Sequence, residues 1–118
     1  ANKMPVMTKS ADYTLTAADS GALVIVTGVD KVLTLPATVA GLVYTVVLAA
    51  AGLSAGTGLS ISPNSADKII GNGFTAADDK DAVLAGSGDQ AGDSITLVGD
   101  GVDGWYITAV TGTWTRQA

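Results

Sequence analysis

The stretch from Gly92 to Trp114, GDSITLVGDGVDGWYITAVTGTW, constrains the fold more than any other part of the chain. Two runs rich in β-branched and aromatic residues, Ser94–Val98 and Trp105–Val110, flank a turn made largely of Gly and Asp. Residues of the first kind suit a pleated surface, and Gly and Asp supply tight turns, so the segment predicts a β-hairpin. Both tryptophans of the chain, Trp105 and Trp114, lie in or just after its second run. The stretch holds bulky anchors and no catalytic motif, which points to a scaffold that works by contact.

The same grammar repeats upstream. Short β-prone runs are expected at Ala11–Thr16, Leu23–Thr27, Lys31–Leu35, Gly41–Leu48, Leu59–Ser62, Lys68–Ile70 and Ala82–Leu84, with a last one at Thr113–Thr115. Gly28–Asp30, the loop Gly52–Gly58, Pro63–Ser65, Gly71–Gly73 and Gly86–Asp89 separate them. Pro36 ends the run before it, because proline has no ladder donor and restricts the residue ahead of it. Gly41–Leu48 is apolar on both faces, which predicts a central strand or one that faces a partner. All eleven acidic residues are Asp and fifteen residues are Gly. Asp favours caps and turns where Glu favours helix, so the composition is that of many turns. The expected fold is all-β: a compact β-sandwich, jelly-roll or barrel-like domain of eight to ten short strands. Residues 11–118 are expected to form this single domain. Residues 1–10, with Pro5 and no clear period, are expected to be an N-terminal arm, either an ordered extension or a loose one.

Charge narrows the function classes. Charged residues make up 14% of the chain, and the formal net charge is −5. Soluble surfaces usually carry about a quarter charged residues. Fewer ions to desolvate makes covering this surface by another subunit less costly. The plainer alternative is that Thr and Ser take the place of charge at a solvated surface. An acidic balance with scattered lysines argues against direct nucleic-acid binding. No apolar run reaches the roughly 20 residues of a membrane-spanning helix, and no signal peptide is visible.

Chemistry finds few footholds. The chain has no His and no Cys. The Ser-His-Asp arrangement, cysteine nucleophiles, disulfides and the common zinc ligand sets are therefore excluded. Asp78, Asp79 and Asp81 are a candidate calcium cluster, as are the pairs Asp89 with Asp93 and Asp100 with Asp103, but the calcium-loop pattern with its terminal Glu is missing. The favoured role for these carboxylates is bonding to nearby backbone N–H groups in turns. The expectation is no enzyme and no cofactor. Seven residues are candidates for contact with other molecules: Lys3, Met4 and Lys9 in the arm, Tyr44, and Trp105, Tyr106 and Trp114 in the late hairpin. For each tryptophan the default role is in the core, and an interface anchor is the alternative.

A set of pieces in order carries a resemblance: Tyr13–Gly21 (YTLTAADSG), Val32–Ala37 (VLTLPA), Gly41–Thr45 (GLVYT), Ala66–Gly71 (ADKIIG), Gly92–Val98 (GDSITLV), Gly104–Ile107 (GWYI) and Gly112–Trp114 (GTW). Together they span roughly residues 13–114. The arrangement resembles small structural proteins of tailed bacteriophages, namely head decoration or cement proteins, and also fibre and tailspike modules. The resemblance implies a β-rich homotrimer on the outer surface of the phage head. It would bind several major capsid protein subunits and reinforce the expanded shell after genome packaging, having been assembled in the host cytoplasm. It brings no enzyme residues and no nucleic-acid or membrane partner. The alternative it leaves open is a receptor- or glycan-binding module of a tail fibre or spike.

Overall fold

A computed structural model describes residues 3–28, 31–49, 59–84 and 89–118. The loop expected at Gly52–Gly58, and parts of the turns at 28–30 and 86–89, lie outside the described residues. Among the described residues, eleven strands form two sheets: β1 Val6–Lys9, β2 Tyr13–Thr14, β3 Leu23–Val26, β4 Val32–Thr34, β5 Val43–Leu48, β6 Ser60–Ser62, β7 Lys68–Ile70, β8 Ala82–Leu84, β9 Ser94–Gly99, β10 Gly104–Thr111 and β11 Trp114–Arg116. The six-stranded sheet runs β1-β3-β5-β9-β10-β7, and the five-stranded sheet runs β11-β8-β6-β4-β2. The fold is therefore all-β, with two sheets enclosing one core.

The first half of the chain winds. Each strand from β1 to β6 lies in the opposite sheet to the one before, so β1, β3 and β5 become parallel neighbours in one sheet. Strands β2, β4 and β6 do the same in the other. The second half closes this coil with antiparallel pairs, β9 on β5 and β8 on β6. The hairpin expected at the end of the chain is β9–β10, with Gly99 opposite Trp105 and a bulge between Ile107 and Ala109. One segment read only as an arm has a place in the sheet. Val6–Lys9 is the edge strand β1, parallel to β3.

Period-two alternation explains the core. Val24 and Val26 of β3, Tyr44, Val46 and Leu48 of β5, and Ile95 and Leu97 of β9 point inward from the larger sheet. Leu33, Ile61, Leu84 and Trp114 meet them from the smaller one. Trp105 lies against Tyr44 with ring centroids 5.6 Å apart. Burial of each such large side chain is worth about 1.5–3 kcal/mol. The indole N–H of Trp105 has no acceptor among the described residues, at a cost of about 1–3 kcal/mol. The chain leaves 5609 Å² accessible, close to the ~5,900 Å² expected of a monomer of this mass. One chain thus completes its own core, and a partner can only cover surface. Among the described residues no helix is long and apolar enough to cross a membrane.

Candidate functional site

The outer face of the six-stranded sheet is unlike an ordinary solvated face. Register carries three rows of outward side chains across it. The first is Val43, Val98, Tyr106 and Ile70. The second is Val6, Leu23, Thr45, Thr96 and Ala109. The third is Thr8, Ile25, Val47, Ser94 and Thr111. No side chain in these rows is charged. Lys68, two residues along β7 from Ile70, is held 2.9 Å from Asp78. In the second row the hydroxyls of Thr45 and Thr96 bond each other at 2.9 Å, so their hydrogen-bonding capacity is partly met within the chain.

The outer face of the five-stranded sheet differs. Its rows are Val32, Ser60, Val83 and Thr115, and Thr14, Thr34 and Ser62. Small hydroxyl residues dominate there, as expected where one face packs and the other is wet. The larger sheet instead has near-continuous apolar runs, such as Leu23–Val26, the pattern of strands covered on both sides. Val39 and Val102 are also strongly exposed. Their loops meet at one end of the molecule, where the Gly101 N–H donates to Thr38 Oγ1 at 3.0 Å.

Of the seven expected contact residues, the structure divides buried from accessible. Tyr44 and Trp105 are 0% exposed and Trp114 is 4% exposed, so all three are core residues and offer no surface to a partner. Their size made them anchor candidates, and that same size fills the space between the sheets. Tyr106, on the opposite side of the strand from Trp105, is 45% exposed and sits in the first outer row. Met4 is exposed just ahead of β1, and Lys3 is exposed beside it. Lys9 lies with its ammonium 3.8 Å from the centre of the Tyr13 ring, an intramolecular cation–π contact. Individual residues did not reveal the rows of the larger sheet, because a row exists only once five strands are in register. The two-sided apolarity of Gly41–Leu48 was its one local signal.

Several of the conspicuous carboxylates serve turns. Asp100 Oδ1 accepts from the N–H groups of Val102, Asp103 and Gly104 at 2.8, 2.9 and 3.0 Å. Those bonds hold the Asp100 carboxyl below its ordinary pKa. Asp19 Oδ2 accepts from Thr16 N, Thr16 Oγ1 and the Tyr13 hydroxyl. The Thr16 backbone bond chiefly lowers its pKa, with Tyr13, the Thr16 hydroxyl and Lys9 adding to the effect. The Tyr44 hydroxyl then donates to the Thr16 carbonyl at 2.6 Å, tying this turn to the core. Asp67, itself buried, accepts from Thr38 N at 2.9 Å, and Thr38 Oγ1 donates to the Gly104 carbonyl at 2.7 Å. Asp93 accepts from Gln90 N at 2.9 Å. Asp81 goes the other way: burial raises its pKa and Asp79 adds to this, against a bond from Ser62. Among the described residues no group of three or more acidic side chains gathers around a point that could hold a metal.

Shallow grooves lie among the described residues. One of about 390 Å³ is lined by Ser60, Asp81, Val83 and the C-terminal residues Thr115–Ala118. Another, about 310 Å³, runs along Asn72–Thr75 and Trp114–Arg116. In the second, the Trp114 indole N–H is already bonded to the Thr111 carbonyl at 3.0 Å, and the ring is turned into the core. Neither groove presents converging polar groups with an exposed aromatic platform. Comparison of the chain with protein-family models, with curated proteins and with solved structures finds no match.

Proposed function

We propose that this chain is a structural virion protein that decorates the outer surface of a tailed-phage head and reinforces its mature lattice. It acts as a homotrimer that binds major capsid protein subunits, with no catalysis, no nucleic-acid contact and no membrane partner. The observation that carries the reading is the uncharged, largely apolar outer face of the six-stranded sheet, on a chain whose core is already complete. Such a face is a contact surface. The resemblance of its ordered sequence pieces to phage structural proteins supports a virion setting for the assembled module.

The mechanism is mass action. A module that binds only the mature lattice stabilises it by about 2.7 kcal/mol per site when its concentration is a hundred times the dissociation constant. Several contacts in one oligomer add avidity if all engage together. The test is to add purified protein to undecorated heads and measure their resistance to heat. Saturable binding with a raised disruption temperature is expected. Absence of head binding, together with saturable binding to host surface glycans, would replace this reading with that of a fibre or spike module.

A further inference from the structure

We propose that the outer face of the six-stranded sheet is where copies of this chain pack against one another. The inference rests on the reading of the chain as an assembly module and names the first occupant of its surface: a second copy.

Area comes first. Fourteen positions, with strands about 4.8 Å and rows about 6.8 Å apart, give a footprint of roughly 460 Å², and nine of the fourteen are apolar or aromatic. That falls within what monomers leave exposed as one patch. It matches the apolar centre of an ordinary interface, which covers about 800 Å² per partner. Met4 and Lys68 border it and would form the rim.

Charge selects the occupant. Each copy carries −5, and like-charged molecules repel. None of the acidic residues lies in the three rows, so two copies can meet here without opposing like charges. An interface with an unlike protein draws partner choice from complementary charge, and this face has none to offer. Interfaces between identical chains are the more apolar class. The polar atoms at the centre are also prepared for covering. Thr45 and Thr96 bond each other at 2.9 Å, which lowers the cost of removing water from them.

The experiment is light scattering coupled to gel filtration across a dilution series, with circular dichroism to check the fold. The wild type is expected to show an integral multiple of 11.7 kDa. Ile25→Glu and Val47→Lys each place an unpaired charge in the buried face. Each is expected to weaken association by more than about a hundredfold, leaving the single-chain mass. Thr8→Lys, at an exposed position of the edge strand, does the same without touching the core and stands in if the other two fail to fold. Val83→Glu, on the outer face of the other sheet, is expected to leave the multiple unchanged. A wild type of single-chain mass at every concentration overturns the inference, as does a multiple that persists in the folded face variants or is lost equally with Val83→Glu. Head binding is scored separately. A single-chain wild type that binds heads sinks this inference and the homotrimer with it but spares head decoration, whereas a multiple dissolved by the face variants that binds no head spares this inference and sinks head decoration.

Discussion

Gly104→Ala tests the packing of β7 on β10, which holds the far edge of the six-stranded sheet. Gly104 has φ +153° and lies directly opposite Lys68 in a parallel pair. A methyl carbon there would sit 2.8 Å from the Lys68 carbonyl carbon and closer still to the Lys68 N and O atoms. Both partners are strand backbone, so neither can swing aside. Keeping the backbone in place forces an L-residue into a rarely populated region, at about 1–3 kcal/mol. Relieving the clash by parting the strands also breaks the register of Gly104, Trp105 and Tyr106 with Lys68, Ile69 and Ile70. It also begins to expose Ile69, whose full burial is worth about 1.5–3 kcal/mol. Together these predict a loss of about 3–5 kcal/mol, a large share of the 5–15 kcal/mol typical of a domain. The assay is urea unfolding, read as a lower midpoint at constant slope, with a Tm roughly 10–20 °C lower. Gly73→Ala is the control. Gly73 has φ +76° with nothing within 4 Å of the added carbon, so only backbone strain of about 1–2 kcal/mol applies. Equal losses for the two variants would refute the steric argument.

Tyr44→Phe keeps the buried ring and removes the bond to the Thr16 carbonyl. It should cost about 1 kcal/mol in the same unfolding assay, and a neutral result would mean the bond does not tie the turn to the core. Acid should act through Asp19 and Asp100, whose folded pKa values lie below the ordinary 3.8. Their stabilisation is complete above the unfolded value and is lost as the pH falls from about 4 through the depressed folded values. Asn at both positions keeps an acceptor oxygen without a titrating group. The double variant Asp19→Asn/Asp100→Asn should therefore show a shallower fall in urea midpoint below pH 4 than the wild type, and identical slopes would contradict this.

Local signals carried much of the architecture. The β9–β10 hairpin was legible because its strands are adjacent in sequence and its turn is built of Gly and Asp. Pro36 and the apolar run Leu23–Val26 marked their elements for equally local reasons. Strand β1 was not legible. Val6–Lys9 follows a proline, mixes Met and Lys, and gains its strand identity from parallel pairing with β3 across an intervening strand of the other sheet. Such pairing leaves no trace in a short window of residues. The tryptophans posed the converse difficulty. Bulk alone does not say which side of a strand faces the core, and alternation placed Trp105 inside and Tyr106 outside. The candidate contact face was legible only in fragments, because Leu23, Val47 and Val98 become neighbours through register and not through spacing.

Thiol accessibility tests the covered-face account most directly, because the chain has no cysteine of its own. Val47→Cys places one thiol in the third outer row of the six-stranded sheet, and Thr115→Cys places one on the outer face of the other sheet. Labelling rates are measured at high and low protein concentration and divided by the rate in denaturant. The account predicts that the thiol at 47 is shielded at high concentration and released on dilution, while the thiol at 115 reacts freely at both. Concentration-independent labelling at 47 would contradict it.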